Sequence, residues 1–134
     1  MEGVRATFCK RERLVSQRLI DMLFGQSASR SLAAFPLRIV YLLRERQSGD
    51  EPVQMLVSVP KKRFHHAVDR NHVKRQIREF YRTSSAPLKE AVALKGQGMA
   101  LAFLFNDTRL WDSSKLSERL QSAIGKLIAA VSEQ

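Results

Sequence analysis

The residues with the most to say about chemistry lie between Lys61 and Arg82. Arg70, Lys74, Arg78 and Arg82 recur every fourth residue, Asn71 and Arg75 stand beside them, and Lys61, Lys62 and Arg63 come just before. On a helix, at about 100° per residue, the four-residue spacing sets the cations in one row. The same geometry groups Val73, Ile77, Phe80 and Tyr81 for packing, and the cationic row is expected on the opposite side. Like charges at i,i+4 repel by a few tenths of a kcal/mol per pair. Only Asp69 and Glu79 are close enough in sequence to relieve them. An external polyanion would supply the missing charge. Each guanidinium can fork onto phosphate oxygens, and each neutralised phosphate releases counterions. Asn71 can serve a phosphate, a base edge or a 2′-hydroxyl, or it can make a local backbone hydrogen bond.

Other chemistries find less support. His65, His66 and His72 lack the spacing and the thiolate partners of a zinc site. Asp21, Asp69, Asp107 and Asp112 are scattered singly, whereas a two-metal nuclease clusters its carboxylates. No glycine-rich phosphate loop is present. Cys9 is the only cysteine, so an intramolecular disulfide is excluded and a reducing cytoplasm is expected. Cys9 itself reads as a half-buried bystander, and Leu110 and Trp111 as packing residues.

The net charge of +10 is unevenly spread. Residues 61–82 carry eight Lys/Arg against two acids, and residues 1–46 carry nine against four. Residues 83–134 are nearly balanced, with six against five. Clustering of this kind marks a surface for a polyanion rather than a general solubility charge. The 134 residues, 44% of them hydrophobic, suit one domain with a real core. No apolar run approaches the roughly 18 residues of a membrane helix. The N-terminus lacks the apolar stretch of a signal peptide, so none is expected.

The elements that must position the basic residues follow from periodicity and punctuation. A first helix is predicted over Gln17–Phe24, with Ser16 as N-cap, Gly25 at its end and a Val15–Ile20 staple. After a polar link, Gln26–Ser31, strands are predicted over Leu37–Leu43 and Val53–Val59. The loop between them, Gln47–Pro52, is short, so the two strands are expected to form an antiparallel hairpin. The basic helix spans about His66–Arg82, a short helix follows near Leu88–Leu94, and a strand covers Met99–Phe105. A last helix begins at Asp112, Ser113 or Ser114, with Leu116, Leu120, Ile124, Leu127, Ile128 and Val131 as its stripe. The order α-β-β-α-β-α implies an α+β two-layer sandwich, one sheet covered by helices.

The segment Val57–Glu79 resembles the signature of the protein subunit of bacterial ribonuclease P. That signature is a Lys-Lys pair, then Ala, then Arg-Asn-x-(Val/Ile)-Lys-Arg-x-x-Arg. It is met by Lys61, Lys62, Ala67, Arg70, Asn71, Val73, Lys74, Arg75 and Arg78. The start, Phe8–Leu14, also looks like the family's N-terminal region. The resemblance implies a single RNA-binding domain over residues 1–134, with a left-handed βαβ crossover against the usual preference. It implies a ribonucleoprotein endonuclease that removes the 5′ leader from precursor tRNA, with Mg²⁺ and the catalytic centre in the RNA and no catalytic residue or metal ligand in the protein. The expected partners are ribonuclease P RNA and precursor tRNA, without membrane or DNA, the protein being monomeric with one copy per RNA.

By the same resemblance, Lys61, Lys62, Arg70, Asn71, Lys74, Arg75, Arg78 and Arg82 would contact the catalytic RNA. Phe8, Ile20, Phe24 and Tyr41 would line a leader cleft between the first helix, the sheet and the basic helix. Phe8 is either a stacking aromatic or a core plug, and Tyr41 either faces the cleft or lies in the core. Two residues depart from the family pattern. His72 replaces a common arginine, which weakens a phosphate contact at neutral pH, and Ile20 replaces a common aromatic. Two other functions fit a basic helix: general RNA binding, and DNA reading with Asn71 and Gln76 as base contacts. So many phosphate-seeking cations favour RNA backbone binding over base readout.

Overall fold

A computed structural model describes residues 13–14, 16–25, 29–45 and 51–132. Phe8, Cys9, Val15 and much of the Gln47–Pro52 loop lie outside the described residues. The described elements are α1 (Gln17–Phe24), β1 (Arg30–Ala34), β2 (Leu37–Glu45), β3 (Val53–Ser58), α2 (Ala67–Ser84), α3 (Ala86–Leu94), β4 (Gln97–Phe105) and α4 (Ser113–Ser132). All six predicted elements are present, as is the short helix. β1 is an additional strand, entered from what reads in sequence as a polar link. Its Arg-Ser-Leu-Ala-Ala composition carries little β-propensity, and it is an edge strand held by one neighbour.

The four strands form one sheet in the order β1-β2-β4-β3. The antiparallel hairpin is therefore β1–β2, turning at Phe35–Pro36, and not the expected pairing of the second and third strands. β4 lies between them, antiparallel to β2 and parallel to β3. The β3–β4 parallel pairing requires a crossover, and α2 and α3 supply it. Closeness in sequence did not decide pairing. The apolar run Gly98–Phe105, buried at all but Leu104, suits a central strand covered on both faces.

The main core fills one face. Leu37, Ile39 and Tyr41 of β2, Met55 and Val57 of β3, and Leu101, Phe103 and Phe105 of β4 meet α2, α3 and α4 there. The predicted stripe of α4 is buried except Ile128, which is half-buried. Asp112 caps this helix: its backbone carbonyl accepts from Leu116 N–H at 2.9 Å and its carboxylate from Ser114 N–H at 3.2 Å. The other face carries a smaller cluster, in which Leu19, Ile20 and Leu23 of α1 cover Val40, Leu42, Ala100 and Ala102. Ser16 caps α1, accepting from Leu19 N–H at 3.4 Å. Arg13 bridges to Met55 on the free edge of β3, where Leu14 N–H donates to the Met55 carbonyl at 2.9 Å. Tyr41 is 3% exposed and belongs to the main core, which resolves its two sequence alternatives. Strand alternation turns Val40 and Leu42 to the α1 face and Tyr41 away from it.

Candidate nucleic-acid interface

α2 starts after a tight turn. Pro60 accepts from Arg63 N–H at 3.0 Å, leaving Lys61 and Lys62 exposed at the tip. The helix has His66 at its N-cap without a side-chain cap bond. Arg70 supplies the local tie instead. Its guanidinium donates to the Phe64 carbonyl at 2.8 Å and to the His65 carbonyl at 3.1 Å, fastening the first turn of α2 to the loop before it.

The position of the basic row on α2 corrects the sequence expectation. Val73, Ile77 and Tyr81 are buried, but Arg70, Lys74, Arg78 and Arg82 are half-buried rather than outward-facing. Lys74, Arg78 and Arg82 each follow a buried residue by one position, about 100° round the helix, so this row runs beside the apolar row, not opposite it. The outward face holds Asn71, His72, Arg75 and Glu79. Together Lys74, Arg78, Asn71, Arg82 and Arg75 span an arc of about 100° on one flank of the helix. The other flank meets α4. There Gln76 donates to the Trp111 carbonyl at 2.9 Å and to the Ser113 hydroxyl at 3.0 Å. Gln76 is thus committed to the fold and is withdrawn from base reading. α4 packs toward β1 and β2 and α2 toward β3, so the basic flank overhangs the β3 edge.

Charge is unevenly satisfied along this flank. Arg82 pairs with Glu79. The Arg82 hydrogen bond, aided by its charge, holds the Glu79 carboxyl below the ordinary carboxylate range, and Glu79 in turn raises Arg82. Among the described residues no acid pairs with Lys74, Arg75 or Arg78. These three and the exposed Lys61 and Lys62 form the cationic surface that remains for a ligand.

A cleft opens on the α1 face of the sheet. A cavity of about 330 Å³ is lined by Leu23, Phe24, Ser29, Arg30, Ser31, Arg38, Val40 and Leu104. Phe24 is 42% exposed at its rim, while Ile20 is half-buried beneath α1. Arg38 and Leu104 are register partners, and Leu104 pairs in turn with Ser58, two residues before Pro60. The cleft and the Lys61–Lys62 turn therefore sit at the same end of the sheet. Arg63 donates to the Asn106 side chain and ties the turn to the end of β4. The structure thus brings Phe24 to the cleft, leaves Ile20 in the apolar cluster under α1 and outside the cleft lining, and places Lys61 and Lys62 at the same end of the sheet, with Asn71, Lys74, Arg75 and Arg78 continuing along the basic flank of α2. Arg70 and Arg82 are engaged within the protein. Sequence reading overlooked Arg38 and Arg30. Their signal is a cation in an otherwise apolar strand, at Arg38 within Leu-Arg-Ile-Val.

Loop 106–112 closes this end. Asp107 is 9% exposed and accepts from Thr108 N–H at 2.7 Å and from the Trp111 indole at 2.8 Å. Burial is the largest single influence and pushes the Asp107 carboxyl up. The Trp111 indole, the backbone amides of Thr108 and Arg109 and the Arg109 charge together outweigh it, and hold the group below its usual value. Among the described residues no three His, Cys, Asp or Glu side chains gather to hold a metal. No helix among them is long and apolar enough to cross a membrane.

The comparisons with known proteins agree with this architecture. The ribonuclease P family model matches residues 8–127. A ribonuclease P protein component of Porphyromonas gingivalis is 34% identical over 128 residues, covering 94% of this chain and 91% of its own. One from Legionella pneumophila is 30% identical over 122 residues, covering 89% and 97%. Two solved structures share the fold. The RNase P protein from Thermotoga maritima has a TM-score of 0.59 at 21% identity, covering 86% of this chain and 96% of its own. That from Staphylococcus aureus scores 0.62 at 16% identity, covering 87% and 97%. With its signature on α2 and the family match running through nearly all of the chain, the protein belongs to the bacterial ribonuclease P protein family, whose work is tRNA processing.

Proposed function

We propose that the chain binds the catalytic RNA of ribonuclease P and holds the 5′ leader of precursor tRNA while the RNA cleaves it. The observation that carries this reading is the joint placement of two surfaces. Lys61, Lys62, Lys74, Arg75 and Arg78 carry charge without acidic partners among the described residues, and a cleft lined by Phe24 and Arg38, with no acid among its described lining residues, opens at the Lys61–Lys62 end of the sheet. The basic surface suits the phosphates of a folded RNA. The cleft, with an apolar floor and an aromatic rim, suits a single strand whose bases are unstacked. Mg²⁺ belongs to the RNA in this reading and supplies the Lewis-acid chemistry there. The protein's own residues lower repulsion between two polyanions and keep the leader extended. It works in the cytoplasm as a monomer, one copy per RNA.

Reconstitution tests this. The protein is mixed with its cognate RNA at low Mg²⁺ and leader removal is timed. The expected outcome is cleavage well above that of the RNA alone. Equal rates with and without protein would end the proposal. Binding unrelated RNAs equally well, without preference for a leader, would mark a general RNA-binding protein instead.

A further inference from the structure

We propose that the single-strand track continues past the cleft and over the β1–β2 turn, with Arg38 holding the phosphate between two bases and Phe35 stacking on the outer one. This rests on reading the cleft as the leader site. A second hollow, of about 320 Å³, adjoins the first, and the two share Ser31 and Arg38 as lining residues. Phe35, Pro36 and Asn106 form its far side. Among the described residues neither hollow has an aspartate or glutamate in its lining, so these walls are complementary to a polyanion.

Arg38 stands at the junction. It is exposed, and its register partners across β1 and β4 are Ala33 and Leu104, neither of which can satisfy a guanidinium. A phosphate between the hollows would give it a bidentate partner. Phe35 is 55% exposed, yet its ring is held: Trp111 packs edge-on with centroids 6.0 Å apart and planes at 64°. Trp111 is fixed in turn by its indole bond to Asp107. The Pro36 carbonyl accepts from Asn106 N–H at 2.7 Å, which anchors the turn to the end of β4. An exposed aromatic on a braced support is a stacking platform with little ordering left to do on binding.

The holoenzyme, reconstituted with its cognate RNA, is titrated with precursor tRNAs whose leaders lengthen one nucleotide at a time. Affinity should rise as the leader fills the cleft and rise again, on the order of tenfold, when it reaches Phe35. Phe35→Ala should abolish the second rise, and Arg38→Ala should abolish it and lower the salt slope for long leaders by about one unit. Phe35 touches Trp111, so Trp111 fluorescence and a thermal midpoint check that variant's fold, and Arg38→Ala gives an independent reading from an exposed position. Length profiles of both variants that superimpose on wild type would overturn the extension while leaving the cleft reading intact. No dependence on leader length in any protein would overturn both. A change in oligomeric state in Phe35→Ala, with an unaltered length profile, would assign the patch to a protein partner and also overturn the extension.

Discussion

Arg70, Lys74 and Arg78 belong to one motif by spacing, but the fold uses them differently. Arg70 donates to two loop carbonyls, whereas Lys74 and Arg78 have no acidic partner among the described residues. Lys74→Ala or Arg78→Ala should therefore leave stability within about 0.5 kcal/mol of wild type. Each should reduce the slope of log affinity against log salt by about one unit. An unchanged slope would remove that residue from the interface. Arg70→Ala should cost about 2 kcal/mol of stability, since it strips charge-assisted bonds from two loop carbonyls. Arg70→Lys should recover much of this, because both bonds leave from one guanidinium nitrogen, Nη1, whose place an ammonium can take. Urea melts separate these expectations, and an Arg70→Ala protein as stable as wild type would refute the structural role. Asp107 offers a pH test. Its carboxyl is held below its ordinary value, so its stabilisation is complete above the unfolded value of about 3.9 and is lost as pH falls through the folded one. The stability gap between wild type and Asp107→Asn should hold above about pH 5 and shrink as pH falls further. Trp111 fluorescence in urea reads it, and a constant gap would exclude this linkage.

At the scale of elements, the helices were legible because their signals are local. Ser16, Asp112 and the buried stripe of α4 are capping and period-3.6 features that tertiary context did not need to supply. The basic row was legible as a row, but its direction was not. Telling beside from opposite depends on the one-residue offset between Val73, Ile77 and Tyr81 and the cations that follow them, about 100° rather than 180°. The strands were legible singly and misleading in pairs: β2 and β3 alternate correctly, yet their partner is β4. β1 was missed because Arg30–Ala34 gains its strand character from pairing with β2 rather than from its own side chains. Phe24 in the cleft came from family resemblance, while Arg38 needed the strand register. The turn between α3 and β4 gives a clean conformational test. Gly96 has φ of +69°, and a Cβ there would meet nothing within 4 Å. Gly96→Ala should thus cost about 1 kcal/mol through backbone strain alone, and Gly96→Asn less. Equal stability of Gly96→Ala and wild type would contradict that conformation.

Across the whole molecule, the sheet separates two duties. One face carries the main core with α2, α3 and α4, and the other carries α1 and the cleft. Variants in the cleft such as Phe24→Ala should consequently spare the core. The insertion of β4 between β2 and β3 has a consequence in time. Residues 61–82, with eight Lys/Arg, leave the ribosome while residues 97–105, the strand at the centre of the sheet, are still inside its exit tunnel. For that interval the nascent basic segment is a loose polycation beside ribosomal and transfer RNA. It can attract any phosphate chain, but it cannot yet judge shape. A nascent chain stalled with residues 61–82 outside the exit tunnel and residues 97–105 still inside it should crosslink RNAs without preference, and one extended far enough to expose β4 and α4 should favour the catalytic RNA. Equal selectivity at both lengths would mean that the segment discriminates without the sheet. Selectivity on this account is acquired late in synthesis, when the central strand slides into its slot.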